Sequence, residues 1–254
     1  MMDKTLIAST LELVGRIILE NGGEAYRVED SVERLGHAFN LASTQVYSVP
    51  GGVMMTLFFK DGENITQVVR CKKRVVHLKK VDMTNRICRE VAQAVLTPAE
   101  AVRQLTAIEQ RDDAHPLYIT LLAAAASGAA FSFLFNGNFF DAALAAVTAA
   151  LVRFILALLK RRNSREQVVS NILGGALTTL FPALIAMAFN QPVTSAAIAG
   201  AIMHLLPGVA MGCAVQDLLK GDITSGLGYT VNALLVAIYV AGGAMAASRL
   251  LLIL

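Results

Sequence analysis

The sequence predicts an α-helical integral membrane protein with about five transmembrane helices, preceded by a small α+β cytosolic domain. Hydrophobic residues make up 55% of the 254 residues and charged residues only 16%, which is too apolar for an ordinary soluble domain. Residues 1–115 contain 15 Lys and Arg with 15 Asp and Glu, whereas the remaining residues contain 7 and 4. We therefore expect a cytosolic domain at 1–115 and a transmembrane domain at 116–254.

The cytosolic domain shows two helical patterns, three strand patterns and two further helical patterns, which predicts the order ααβββαα. The predicted elements are 6–19, 24–39, 45–49, 53–60, 65–70, 81–96 and 98–110. The first helix stops at Asn21-Gly22-Gly23, and the last opens with Thr97, Pro98 and Glu100, a capping box. No signal peptide is predicted, because charged residues interrupt the first apolar pattern and no cleavage-type site follows it.

Five apolar segments in the second half are long enough to cross a bilayer at about 1.5 Å per residue. They are residues 117–135, 139–159, 168–189, 193–215 and 226–250. The basic segment Lys160–Arg165 follows the second of them, and the positive-inside rule places it in the cytoplasm. We therefore expect a multi-pass protein of a bacterial cytoplasmic (inner) membrane, with its amino terminus in the cytoplasm and its carboxyl terminus outside.

The composition gives no indication of a cofactor, a metal site or a nucleic-acid partner. The net charge of +3 comes from the membrane half, so we interpret it as a topology signal. Three cysteines without CxxC spacing do not predict a disulfide framework or a zinc site. No Walker A pattern is present, which favours coupling to a gradient over direct ATP hydrolysis.

The fourth apolar segment contains Pro207-Gly208, directly after His204-Leu205-Leu206. Proline removes a backbone donor and glycine relaxes the chain, so this helix should kink or break within the membrane. Broken helices in transporters expose amide groups that favour a carboxylate. We expect Pro207 and Gly208 to shape a solute site, with a purely structural kink as the equal alternative.

Several polar side chains in the apolar segments are candidates for solute or proton binding, because ionisable groups at membrane depth are costly to bury. His204 could carry protons or simply form a packing hydrogen bond. Asp141 is a further ionisable candidate. Arg153 lies near the basic end of its helix and could extend to the interface, and Asn232 could contact solute or a neighbouring helix.

A second group of candidates surrounds the end of the fourth segment and the start of the fifth. Asp217 is a candidate proton acceptor. Asp222 and Ser225, followed by Gly226, could bind protons or solute, but we expect Asp222 and Ser225 to cap the fifth helix.

Several short motifs occur in a fixed order in both halves of the chain. They are Asn21–Asp30, including Tyr26, Arg27 and Glu29; Val49-Pro50-Gly51; Leu205–Gly208; and Asp217, Asp222, Ser225 and Gly226. Together these motifs resemble the threonine/serine exporter family, and the five predicted spans resemble its split, short subfamily. The order of these motifs behind a cytosolic domain matches the family over nearly the whole chain. Full-length members have about ten spans, so the resemblance implies that a small partner membrane protein supplies the remaining ones.

The resemblance implies a secondary-active exporter subunit for small carboxylate-bearing metabolites. Succinate or another dicarboxylate is implied at least as strongly as threonine or serine, since split members are associated with succinate export. Five spans rich in small residues are also expected to assemble as a homo-oligomer or a hetero-complex.

Two alternatives from other classes stay open. A membrane-tethered hydrolase could use His37, His77 or the cluster of Tyr26, Arg27 and Glu29, but the sequence has no GxSxG and no HExxH motif. A regulatory subunit would leave transport to the partner. We therefore do not predict an enzyme.

Overall fold

A computed structural model describes residues 3–71, 75–111, 115–162 and 167–252. The chain forms two compact units. The first comprises Met1–Asp112 and Gly208–Asn232, and the second comprises Asp113–Pro207 and Ala233–Leu254.

The first unit contains an α+β arrangement followed by a helical hairpin from much later in the chain. Its elements are α1 (Lys4–Glu20), α2 (Ala25–Ala38), β1 (Ser43–Val49), β2 (Gly52–Phe58), β3 (Asn64–Arg70), α3 (Leu78–Ala92), α4 (Pro98–Gln110), α9 (Gly208–Leu219) and the start of α10 (Ile223–Leu251). The second unit contains the rest of α10 and four helices: α5 (Leu117–Leu134), α6 (Phe139–Arg162), α7 (Gln167–Ala188) and α8 (Ser195–Ile202).

Helix α1 is the central element of the first unit's hydrophobic core. Ile7, Leu11 and Ile18 are completely buried, and their helical spacing explains why this segment folds as a packed helix and not as a span. A Cβ on Gly15 would come within 3.2 Å of Val53 Cγ2 on β2. Helix α1 therefore packs closely against the sheet.

The three strands form an antiparallel sheet in the order β1-β2-β3. Strand β2 alternates buried Val53, Met55 and Leu57 with more exposed residues, as expected for a sheet with one face on the core. Val49 pairs with Gly52, so Pro50-Gly51 forms a two-residue hairpin connection.

Local capping signals fix most helix starts in this unit. Asp3 caps α1 through bonds from Thr5 N and Leu6 N, and the predicted capping box of Thr97 and Glu100 opens α4. Helix α2 is different, because its N-cap residue, Glu24, makes no side-chain capping bond. The first amides of α2 therefore need a partner from elsewhere.

The prediction of an α-helical membrane protein is confirmed. Among the described residues, four helices are long and apolar enough to span a membrane: Leu117–Leu134, Phe139–Leu159, Gln167–Ala188 and Ile223–Leu251. The predicted fourth span is instead two helices, α8 and α9, which together could form a fifth. A short 3₁₀ turn at Met203–Leu205 follows α8, and Leu206 is extended, so the predicted break at Pro207 is present.

Helices of the second unit approach one another through small residues. A Cβ on Gly175 of α7 would lie 2.8 Å from the carbonyl carbon of Val240, and one on Gly243 would lie 2.8 Å from that of Ile172. These two glycines allow α7 and α10 to pack backbone against backbone, as small residues do in lipid.

The basic segment that predicts the orientation lies largely outside the described residues. Helix α6 continues to Arg162, but the side chains of Lys160, Arg161 and Arg162 and all of residues 163–166 are not described. The cytoplasmic position of this segment stays a prediction.

Candidate functional site

Helix α2 is capped by Asp217, which lies 191 positions after Tyr26 in the sequence. Asp217, in the last turn of α9, accepts hydrogen bonds from Tyr26 N at 3.3 Å and from Ala25 N at 3.4 Å. The side chain is completely buried. A carboxylate opposes the dipole at the end of its own helix, but the amides at the start of α2 favour it. Asp217 therefore joins α9 to the α+β part of the unit.

A second connection joins the start of α10 to the β1–β2 hairpin. Ser225 Oγ donates to Ser48 O at 2.8 Å, and Ser48 N donates to Glu29 on α2 at 2.7 Å. Asp222 accepts from Ser225 N at 3.2 Å, which confirms the prediction that Asp222 caps α10. The same prediction for Ser225 is wrong, because its hydroxyl is used to hold strand β1.

Two glycines allow this close approach. A Cβ on Gly226 would lie 2.8 Å from Leu218 Cδ2, and one on Gly228 would lie 3.1 Å from Pro50 Cγ. Gly226 thus lets α10 fold back against α9, and Gly228 receives the hairpin tip. Tyr229 completes the contact by donating from its hydroxyl to Gly23 O at 3.2 Å.

We call this set the motif junction. Its members are Tyr26, Glu29, Ser48, Pro50, Asp217, Asp222, Ser225, Gly226, Gly228 and Tyr229. The two groups of residues proposed separately from the sequence, one in the cytosolic domain and one around the fifth span, therefore form one site. Arg27 lies next to it and is paired with Glu24.

Other predicted residues lie outside the junction. His204, Pro207 and Arg153 belong to the second unit, whereas Gly208 begins α9 in the first. Gly51 is exposed at the hairpin tip, where its carbonyl accepts from Cys71 N at 3.0 Å. Asn232 is exposed on α10.

His204 makes a local hydrogen bond. Its Nδ1 lies 2.7 Å from Ala201 O in the preceding turn. The buried Nε2 has no hydrogen-bond partner among the described residues. Leu205, the next residue, packs beside Gly174, where a Cβ would meet its Cδ1 at 2.9 Å. His204 thus makes one local hydrogen bond and leaves one ring nitrogen unused among the described residues.

Asp141 is held by three hydrogen bonds at the start of α6. It accepts from Asn138 N at 2.9 Å and from Thr194 Oγ1 at 2.7 Å, and its own amide donates to Asn138 Oδ1 at 3.0 Å. This reciprocal arrangement is a helix cap. The side chain of Asp141 therefore caps α6 and contacts Thr194. Arg153, on the same helix, is exposed.

The carboxylate of Glu29 lies in an acidic part of the junction. Burial raises its pKa above the ordinary value of 4.5, and the nearby carboxylates of Asp222, Glu33 and Asp217 add to this rise. The hydrogen bond from Ser48 N acts in the opposite direction. Glu29 is therefore less easily ionised than an exposed glutamate.

Because its folded-state pKa is raised, Glu29 stabilises the fold below pH 4.5, and this contribution is lost as pH rises through the raised value. Glu29→Gln keeps an acceptor for Ser48 N and removes the charge. We expect the variant to unfold at a higher temperature than the parent near pH 8 and at the same temperature near pH 4. Thermal unfolding of purified protein across this range would check it. Asp30→Asn, at an exposed position of α2, is the matched control; equal pH profiles for Glu29→Gln and the parent would contradict the prediction.

Sequence reasoning missed several junction residues. Ser48 takes part through its backbone, and Gly228 takes part because it has no side chain next to Pro50. Neither contribution can be recognised from the residue type in the sequence. Gln216 accepts from the hydroxyl of Tyr26 at 3.4 Å and could have been suspected as the neighbour of Asp217. Tyr229 follows Ser225 by four residues, so the two share one helix face.

The residues of the hydrolase hypothesis have separate structural contacts. His37 is exposed on α2, and His77 caps α3 by accepting from Lys80 N. Tyr26, Arg27 and Glu29 contact Gln216, Glu24 and Ser48, respectively. In the described part of the chain, no group of His, Cys, Asp and Glu is arranged to hold a metal.

Together, the fold and the motif junction define a multi-pass α-helical membrane protein with a broken helix and an α+β part joined to the hairpin that follows the break. A family model described as "Putative threonine/serine exporter" matches residues 9–251. The chain belongs to this threonine/serine exporter family, and it is therefore a membrane transport protein.

Two relatives are similar over most of the chain. The "Probable succinate transporter subunit YjjP" of Klebsiella aerogenes is 24% identical over 210 residues, which are 83% of this chain and 80% of that protein. The protein of the same description from Escherichia coli is 24% identical over 218 residues, which are 84% and 82% of the two chains. No solved structure matches.

Proposed function

We propose that the chain is a subunit of a secondary-active exporter of small carboxylate-bearing metabolites, with succinate or another dicarboxylate as the first candidate substrate. Membership of an exporter family supports transport over hydrolysis. The substrate is proposed because both relatives are described as succinate transporter subunits. Threonine or serine is the second candidate, carried by a homo-oligomer, because the family description names these amino acids.

The helix break at Leu206–Pro207 carries this proposal. Helix α9 begins at Gly208, and a Cβ at that position would have no atom within 4 Å. The first amides of a helix lack intrahelical partners and carry a partial positive charge. An open helix start of this kind suits a carboxylate, as in other transporters with broken helices. His204 and Asp217, on the two sides of the break, are the proposed protonatable groups.

The proposal includes a partner membrane protein that supplies further spans. The described part of the chain offers four or five candidate spans, and the word "subunit" in both relatives' descriptions supports assembly with another chain. We place the amino terminus in the cytoplasm and the carboxyl terminus outside the inner membrane. Protease protection of an amino-terminal tag in intact cells tests this orientation.

Efflux from proteoliposomes tests the function directly. We expect labelled succinate to leave vesicles that contain this chain with its partner, and not vesicles that contain either chain alone. Efflux of threonine by this chain alone would instead support the second candidate. If neither solute leaves vesicles shown to hold folded complex, the proposal is wrong.

Pro207→Ala is expected to reduce this efflux strongly, because alanine lets α8 and α9 join and removes the open helix start. The matched control is Pro192→Ala, since Pro192 is exposed in the turn between α7 and α8; its efflux should equal that of the parent. Unchanged efflux in Pro207→Ala would show that transport does not require the helix break.

A further inference from the structure

A cleft of about 390 Å³ lies within the first unit, beside the motif junction. Its walls are the loop between α1 and α2, one face of α3 and one face of α9. This volume falls within the roughly 300–1,000 Å³ of typical small-molecule sites. Polar side chains line it as well as glycines and apolar groups, so the cleft is suited to a small polar ligand.

Arg27 is the main charged donor in this cleft. Its Nε donates to Glu24 Oε2 at 2.6 Å, and Nη2 donates to Glu24 Oε1 at 3.2 Å. Glu24 therefore holds one edge of the guanidinium in a fixed orientation. This pair uses Nε–H and one N–H of Nη2, and the Tyr26 side chain also interacts with the guanidinium. The other terminal N–H groups are not used by Glu24, and guanidinium N–H groups match the oxygens of a carboxylate.

Two amide side chains face the same cleft. Gln216 on α9 uses its Oε1 to accept from the hydroxyl of Tyr26, which leaves its NH₂ group as a donor. Asn85 on α3 is half-buried in the opposite wall. Asp82, one turn before Asn85, is exposed. The cleft is thus lined by one guanidinium, two carboxylates and two amides. Glu24 is paired with Arg27, so the remaining guanidinium N–H groups and the two NH₂ groups are the donors for a ligand carboxylate, whereas the exposed carboxylate of Asp82 favours a ligand that also carries a positive group.

We propose that this cleft binds a small carboxylate, with Arg27 as its anchor and with Asn85 and Gln216 as further donors. The choice of carboxylates as ligands rests on the proposed function, whereas the position of the site does not. The site lies in the α+β part and α9, and its lining begins at Val209, directly after the helix start at Gly208. Because Gln216 precedes Asp217, a ligand here contacts the same turn of α9 that caps α2.

Ligand-dependent thermal unfolding of the purified full-length chain tests the site. A ligand that binds only the folded protein raises the unfolding temperature with its concentration. We expect succinate, threonine or both to do so, and the two ligands distinguish a dicarboxylate from an amino-acid zwitterion. Arg27→Gln should weaken the apparent affinity by about tenfold or more, since a charge-assisted fork is lost.

Arg27→Lys keeps the positive charge without the fork, so an affinity between those of the parent and Arg27→Gln is expected. It also serves as the decisive variant if Arg27→Gln does not fold. The matched control is Arg34→Gln, because Arg34 lies on the same helix and pairs with Asp30 on the surface. This control should bind as the parent does.

The proposal is overturned if neither ligand shifts the unfolding temperature of the parent, or if the shift survives in Arg27→Gln and Arg27→Lys. Its failure is distinct from failure of the proposed function, which is judged by efflux with the partner. Efflux with the partner, together with no binding or with binding that does not depend on Arg27, would contradict the cleft proposal and support the exporter proposal. Arg27-dependent binding without efflux would support the cleft proposal and contradict the exporter proposal.

Discussion

Asp217→Asn is expected to lower the stability of the first unit by about 1–3 kcal/mol, the usual consequence of leaving buried polar groups unpaired. The carboxylate accepts from the amides of both Ala25 and Tyr26. Asparagine keeps one acceptor oxygen and places an NH₂ group against one of these donors. It also removes the negative charge that favours the start of α2.

Thermal unfolding of the purified chain measures this effect, and the apparent midpoint should fall. Asp30→Asn is the matched control, because Asp30 lies on α2 with 65% of its side chain exposed and pairs with Arg34 on the surface. Surface ion pairs contribute about 0–1 kcal/mol, so the midpoint of the control should change little. An unchanged midpoint in Asp217→Asn would mean that water replaces the carboxylate at the start of α2.

Gly175→Ala and Gly243→Ala are each expected to destabilise the second unit by about 1–3 kcal/mol or more, the usual range for overpacking. The added methyl groups would meet the backbones of Val240 and Ile172 at van der Waals overlap. Backbone cannot rotate away as a flexible side chain can. Helices α7 and α10 must therefore separate along their contact.

Gly242→Ala provides a closely matched control. Gly242 precedes Gly243 on the same helix, yet a Cβ there would have no atom within 4 Å. Alanine also has the higher helix propensity, so this variant should be as stable as the parent or more so. Unfolding midpoints of the three variants would check the prediction. Equal midpoints for Gly242→Ala and Gly243→Ala would contradict it.

Elements with short-range signals could be predicted from the sequence. Thr97, Pro98 and Glu100 predict the start of α4 because a capping box is completed within one turn. The span at 117–134 follows from the absence of charge over a bilayer thickness, and the span at 139–159 follows from a long apolar segment with only two charged residues, Asp141 and Arg153. Pro207 predicts a helix break because the missing amide and the ring act on the preceding turn. The function class came from motif order, which resembles one family throughout.

The candidate site could be predicted only in pieces. The sequence indicated Glu29 on one side and Asp217, Asp222 and Ser225 on the other, but it offered no reason to join them. Even the role of Ser225 was wrong, since the capping pattern is local whereas its actual acceptor, Ser48 O, is 177 positions away. Ser48 and Gly228 carried no signal at all.

The sequence by itself determined which segments are apolar helices, where most helices begin, where the fourth span breaks and to which family the chain is similar. These features depend on side-chain polarity and on hydrogen bonds within a few residues. Only the tertiary structure decided that Asp217 caps α2, that the two motif groups form one junction and that Arg27 lies in a cleft. Those contacts join residues up to 206 positions apart. They depend on how packed elements satisfy each other's buried polar groups, which no local pattern specifies.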